Sequence, residues 1–281
     1  MSGRLFIIAT PIGNLGDLTQ RAKEALTESE LILAEDTRVT IKLLNHLGLK
    51  KRMVSCHDFN EGERASLLEK MAAEGSTVAL ACDAGTPLIS DPGFQIVSKA
   101  IALGMQVVPI AGPSAFLLAL EGSGLPCDRF AFEGFLPDRP GDRRKKLQSL
   151  RSEERTLIFY VSPHDLVSTL EELIETFGDR RACLARELTK LHEEFVRGTL
   201  GDLKRRAAQS RVRGECVLVV HGCPAGRAER LDRRTVAERL AELLKSGARL
   251  KDASALVAAE SGWSRSEVYK LGLEQGGKRD G

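Results

Sequence analysis

Thr77 to Gly93 reads TVALACDAGTPLISDPG. Val78 to Cys82 is a short apolar run of the kind that forms a buried strand. It ends at Asp83, then come Ala84-Gly85-Thr86-Pro87 and a second turn cluster, Asp91-Pro92-Gly93. From Phe94 to Leu103 the apolar residues recur at helical spacing. A strand therefore runs into a long loop with two carboxylates, and the loop opens a helix. In open α/β sheets, ligands sit beyond the carboxyl ends of the strands. Gly85 and Gly93 allow backbone to close on a ligand. Pro87 and Pro92 restrict the loop, and Asp83 is placed to face the crevice. The competing reading is an ordinary connector with an N-capping Asp. Loops of this composition on a rigid scaffold favour a site.

The same unit recurs on both sides. Arg4 to Thr10 reads as a strand ending in Pro11 to Asp17, followed by a helix from Leu18 to Ser29 capped by Asp17 or Thr19. Leu31 to Ala34 ends in Glu35-Asp36-Thr37-Arg38, and Val39 to Leu47 is the next helix. Met53 to Cys56 leads to His57-Asp58, and a helix follows over Glu63 to Glu74. Gln106 to Ile110 ends in Ala111-Gly112-Pro113-Ser114 and a further helix. This alternation predicts an α/β domain over residues 1–122 with a mostly parallel sheet covered on both faces.

Composition then shifts. Gly122 to Gly141 is rich in Gly and Pro, with FAFEGF at Phe130 to Phe135 as a strand within the connection. Residues 123–224 read as a second α/β domain. Its strands fall near 156–161, 181–186, 193–198 and 215–221, with some antiparallel pairing. The expected helices cover Asp142 to Arg155, Asp165 to Phe177, and Thr199 to Gln209, the last capped by Thr199. Residues 225–281 hold three helical stretches, the last two separated by Gly262-Trp263. They predict a small helical appendage of helix-turn-helix type.

Bulk properties narrow the function classes. The chain has 281 residues, 42% hydrophobic and 28% charged, with a formal net charge of +2. No apolar run approaches the roughly 20 residues of a membrane span. The short apolar N-terminus is read as a first strand rather than a signal peptide, which predicts a cytoplasmic protein. Six cysteines are scattered without a CxxC pair, which argues against a zinc site or a disulfide framework. Basic residues gather at Arg139 to Arg155 and Lys204 to Arg213. The single Trp and two Tyr argue against an extended aromatic platform for single-stranded bases.

Four loops share one rim of the first sheet, and their coincidence predicts a ligand site. A dinucleotide fold is considered and fits poorly. Gly13-Asn14-Leu15-Gly16 lacks the paired glycines, although Glu35 and Asp36 lie near the position of a ribose contact. The phosphate-binding G-x-x-x-x-G-K-[ST] loop is absent. His57, followed by Asp58, Asn60, Glu61 and Glu63, is a polar cluster suited to orienting a substrate or supplying a base, and equally to a solvated loop. His192-Glu193-Glu194 enters a strand and is read as solvent-facing. Arg143-Arg144-Lys145-Lys146 reads either as a phosphate contact or as a charged helix face.

TPIGNLGDLT, EDTR, DAGTPLISDPG, IAGPSA and EGFLP occur here in that order. Together they resemble the bacterial 16S ribosomal RNA cytidine 2′-O-methyltransferases of the tetrapyrrole-methylase-like superfamily, over nearly the whole chain. Corrin and porphyrin methylases usually carry G-x-G-x-G-D in the first loop and G-G-D-P in the third, and this chain has neither. The resemblance implies S-adenosylmethionine held in a cleft between two α/β domains. The matching cofactor positions are Pro11, Asp83, Gly85, Thr86, Ser114 and Ala115, with Tyr160, Val161, Ala185 and Val219 from the second domain. Asp36, His57, Asp91 and Glu187 are the candidates to take the proton from the ribose hydroxyl. Arg38, Arg143 and Arg144 are candidates to bind the RNA, and Arg249, Lys251, Arg265 and Lys270 of the tail are suited to phosphate contacts, with dimer packing or plain stabilisation as equal alternatives for the tail. The implied partner is 16S rRNA, free or in the assembled subunit, with the enzyme as a homodimer, off the membrane and without a metal. Tetrapyrrole methylation and a non-catalytic ribosome-assembly role are the alternatives.

Overall fold

A computed structural model describes residues 3–57, 61–209, 214–224 and 232–276. Asp58 and Asn60 of the His57 cluster, Arg211 and Arg213 of the second basic stretch, and the start of the expected helical appendage at 225–231 fall outside these.

The first sheet holds β1 (Arg4–Ile8), β2 (Leu31–Ala34), β3 (Arg52–Ser55), β4 (Thr77–Ala81) and β5 (Gln106–Ile110) in the order β3-β2-β4-β1-β5. Every pairing in it is parallel. Alternate residues serve opposite faces, as the period of a strand requires. Phe6, Ile8, Ile32, Ala34, Ala79 and Ala81 pack with α1 (Gln20–Glu28) and α2 (Thr37–His46). Leu5, Leu31, Leu33, Val78 and Leu80 pack with α3 (Glu61–Ala73) and α4 (Phe94–Ala102). The helices after β1 and β2 thus cover one face, and the helix after β4 covers the other. Where neighbouring connections part this way, a crevice opens at the strands' carboxyl ends. Local signals set the helix starts: Thr19 caps α1 through the Ala22 N–H, and Asp36 caps α2 through the Arg38 N–H.

The helix α5 (Ala115–Ser123) leaves the first sheet and covers the second. That sheet has the order β6-β7-β10-β8-β9, built from β6 (Phe130–Phe135), β7 (Thr156–Val161), β8 (Arg181–Arg186), β9 (Glu194–Thr199) and β10 (Cys216–Val220). β6 and β7 run parallel, while β10 is antiparallel to both β7 and β8. Ala119 and Leu120 of α5 pack on Ile158, Cys183, Ala185, Val217 and Val219. The helix α6 (Pro140–Ser149) follows β6, and α7 (Leu166–Phe177) packs with α8 (Leu200–Gln209). The expected parallel first sheet and mixed second sheet are both present. The charged helix is shorter than its run of charges, ending at Ser149 rather than Arg155.

The chain divides into two compact units, Met1–Gln148 with Thr156–His221, and Ser149–Arg155 with Gly222–Gly281. Both sheets belong to the first. The second contains α9 (Arg233–Lys245), α10 (Leu250–Ser261) and α11 (Arg265–Gly276), joined around Val236, Leu240, Ala253, Val257, Val268 and Leu271. Asp232 caps α9, and Gly262, at φ 67°, ends α10 in the left-handed conformation that glycine favours. Among the described residues no helix is long and apolar enough to cross a membrane.

Candidate functional site

The four rim loops are hydrogen-bonded to one another. Thr10 and Gly85 exchange two backbone bonds, at 2.8 and 2.9 Å. The Thr10 hydroxyl donates to the Cys82 carbonyl at 3.1 Å. Thr86 Oγ1 donates to the Pro113 carbonyl at 3.2 Å, and Thr19 Oγ1 to the Ala111 carbonyl at 3.2 Å. The Asp36 N–H donates to Asp83 Oδ1 at 3.0 Å, and the Asp83 N–H donates to Glu35 Oε2 at 3.1 Å. Gly112 is required by close approach, since a Cβ there would lie 2.7 Å from the Ala9 Cβ.

The loop after β4 is strained. Leu88 and Ser90 have φ of 73° and 65°, a region in which side-chain-bearing residues cost about 1–3 kcal/mol each. Such strain persists only where the surroundings over-determine it, and it clusters at ligand clamps.

These loops wall a cavity of about 440 Å³, within the roughly 300–1,000 Å³ of small-molecule sites. One wall is Ile12, Asp83 to Thr86, and Ser114-Ala115. The facing wall is Tyr160 to Pro163 after β7 and Gly214 to Val217 entering β10. Glu35, Asp83, Asp91 and Glu215 line it, and among the described residues no lysine, arginine or histidine does. Burial pushes the Asp83 carboxyl up, against the pull of the Asp36 N–H. Burial, then the nearby Asp91 charge, pushes the Tyr160 phenol up to about 12, so it stays neutral near pH 7. At the start of α5 the Ser114 side chain makes no capping bond. Burial also pushes the Cys82 thiol up, which makes it unreactive.

The structure brings together Asp83, Gly85, Thr86, Asp91, Ser114, Ala115, Tyr160 and Val161. Other expected residues stand elsewhere. Pro11 precedes Ile12 without itself lining the cavity. Ala185 and Val219 are fully buried beneath α5. Asp36 sits at the head of α2, where Arg38 hydrogen-bonds it and holds its carboxyl down to about 2. The Arg38 side chain is 89% exposed. His57 follows the edge strand β3, outside the lining. Glu187 pairs with Lys190 at 3.0 Å, which lowers its carboxyl. Arg143 is turned inward onto Glu172 and Thr169, while Arg144 is exposed on α6.

Residues not foreseen include Phe135, Ser162 and Glu215 to Val217, while Glu35, noted only for a ribose contact, also lines the cavity. Because β10 runs antiparallel, its amino end lies beside the carboxyl end of β7, with Val217 opposite Tyr160. The cavity therefore meets Cys216 and Val217, not Val219 two residues further on.

Residues 4–204 match the family model of the Tetrapyrrole (Corrin/Porphyrin) Methylases, and residues 232–276 match that of the RsmI C-terminal HTH domain. The "Ribosomal RNA small subunit methyltransferase I" of Pseudomonas aeruginosa is 44% identical over 280 residues, 99% of each chain. The chain belongs to this family. The protein of the same name from Escherichia coli O157:H7 is 44% identical over 278 residues, covering 98% of this chain and 96% of that one. A uroporphyrin-III C-methyltransferase from Thermus thermophilus, crystallised with S-adenosyl homocysteine, shares the fold at a TM-score of 0.55 and 20% identity, over 78% of this chain and 97% of that one.

Proposed function

We propose that this protein is an S-adenosylmethionine-dependent methyltransferase of small-subunit (16S) ribosomal RNA, and that the acceptor is the 2′-hydroxyl of a cytidine ribose. The observation that carries the reading is the charge of the cavity, lined by four carboxylates and, among the described residues, by no basic side chain. A sulfonium and an ammonium group are drawn to such a site, and a polyanion is kept at its rim. The α5 amino end at Ser114-Ala115 offers backbone N–H groups to a carboxylate. The volume suits a ligand of this size, so the residues present fit the cofactor. When bound, the cofactor supplies an activated methyl group.

The chain supplies position and a proton acceptor. In-line transfer needs the hydroxyl held about 3 Å from the methyl carbon. The hydrogen bonds among the rim loops fix the Asp83 side of the cavity, and Tyr160 fixes the other. The ribose hydroxyl titrates far above neutral and needs a base. Of Asp36, His57, Asp91 and Glu187, only Asp91 lines the cavity. Asp36, at about 2, is a weak base. Asp91 is therefore the assigned acceptor. Arg144 is the assigned RNA contact, together with Arg38, whose side chain stays 89% exposed although it pairs with Asp36, and Arg143 is withdrawn because it is turned inward onto Glu172 and Thr169. Residues 1–122 and 123–224 act as the two halves of the cleft, and 225–281 as an RNA-holding appendage of a cytoplasmic homodimer.

Nucleoside digestion of small-subunit rRNA from cells lacking the protein tests the reading. One 2′-O-methylcytidine is expected to disappear, to return with the wild-type chain, and to stay absent with Asp91→Asn. An unchanged ribose-methylation pattern contradicts it.

A further inference from the structure

Phe135 ends β6 at the mouth of the cavity. It is a cavity-lining residue that is nevertheless 62% exposed. A β-bulge puts it there. The register passes from Phe132 opposite Ile158 to Gly134 opposite Phe159 and Phe135 opposite Tyr160. Strict alternation would put Phe135 on the face away from Phe132. The extra residue returns it to the face of Phe132 and Tyr160, the re-aiming that bulges perform beside active sites. Gly134 makes the bulge possible. Its φ is 63°, and a Cβ there would lie 3.2 Å from Ser90 Oγ. The Phe135 ring is braced by Tyr160, 5.4 Å away centroid to centroid and tilted 57°. Tyr160 in turn stands edge-on to Phe132 at 5.0 Å. A large apolar ring is thus held rigid and open to solvent beside a polar, acidic cavity.

Charge identifies what lies on it. From Phe135 the chain runs through Leu136-Pro137-Asp138 to Arg139 and into α6. Lys146 of α6 pairs with Glu133 of the bulge at 2.5 Å, and Arg143 pairs with Glu172 of α7 at 2.6 Å. The first pair ties α6 to β6, and the second ties it to α7. Arg139, Arg144 and Lys145 are exposed and form no ion pair among the described residues. An anionic strand is repelled from the carboxylate-lined floor and attracted to these three cations. At the cavity mouth, four residues before Arg139 in the chain, stands the exposed face of Phe135.

We infer that Phe135 is the stacking platform for a nucleobase of the RNA strand whose ribose enters the cavity. The inference rests on the proposed reading and names the residue that seats that substrate. A base on an aromatic ring contributes about 1–3 kcal/mol, or roughly 5- to 150-fold in affinity. The phosphates are held by Arg139, Arg144 and Lys145.

The test uses the full chain and a short single-stranded RNA containing cytidine, with fluorescence anisotropy as the readout. Phe135→Leu, which keeps apolar bulk and loses the ring face, is expected to weaken RNA binding about tenfold. Phe135→Trp is expected to restore it. An RNA with an abasic site at the cytidine is expected to bind the wild type and Phe135→Leu equally, a result that a merely structural role for the ring does not give. Melting temperature confirms that each variant folds. Calorimetric affinity for S-adenosylmethionine is measured in all three proteins, so that an effect on the cofactor is separated from an effect on the RNA. Equal RNA binding by wild type and Phe135→Leu overturns the inference. So does a loss of cofactor affinity in Phe135→Leu, which would assign the ring to the adenine. A wild type that grips RNA through Phe135 and never binds cofactor would sink the methyltransferase reading and leave the platform standing.

Discussion

Asp83 serves both the fold and the cavity. Its N–H and Oδ1 join two rim loops through Glu35 and Asp36, while the carboxylate carries charge into the cavity. Its neighbour Asp36 makes a pH prediction. Arg38 and the capped helix end lower its carboxyl from 3.8 to about 2. A depressed carboxylate contributes stability that is present above its unfolded value and lost as pH falls through the folded one. The head of α2 is therefore expected to loosen between about pH 4 and 2, read by hydrogen exchange of its first-turn amides. Asp36→Ala is expected to show the loosened state at neutral pH. Gly93 gives a second prediction. Its φ is 132°, and a Cβ would lie 2.8 Å from Leu80 Cδ2. Gly93→Ala is expected to destabilise by about 1–3 kcal/mol in urea unfolding. A change below about 0.5 kcal/mol contradicts the strain argument.

At the scale of elements, the two sheets differ in how far the sequence discloses them. In the first, β1, β2 and β4 are largely buried apolar runs and all five strands are parallel. Every run's end therefore points to the same rim, and the loops at Asp83, Thr86 and Ser114 were readable. In the second, strand direction changes. β10 enters the cavity at its amino end, so a reading that placed Val219 there chose a residue buried under α5. The bulge in β6 is a one-residue register shift, and the alternation of FAFEGF does not reveal it. Phe135 was hidden for that reason. The charges of α6 were legible as a run, but not their pairing, which occupies Arg143 and leaves Arg144 outside. Phe159 of β7 is fully buried. Phe159→Ala is expected to cost about 3–5 kcal/mol by denaturant titration. A smaller loss would show that the second sheet is not the packed support that the cavity wall needs.

At the scale of the molecule, acid and base are sorted. Carboxylates line the cavity, while exposed cations such as Arg144 and Lys145 of α6 stand outside its lining. RNA affinity is expected to fall linearly with the logarithm of salt concentration, while cofactor affinity changes little. Paired charges on α9 to α11, such as Arg239 with Glu260 at 3.0 Å, contribute little to that slope because they are already neutralised within their own unit. Calorimetric titration of S-adenosylmethionine into the wild type and Asp83→Asn, which keeps the acceptor for the Asp36 N–H and removes the charge, tests the central claim most directly. One molecule bound per chain by the wild type, with affinity at least tenfold weaker in the variant, is predicted. Absence of binding to the wild type, or equal affinity in the two, would contradict the account.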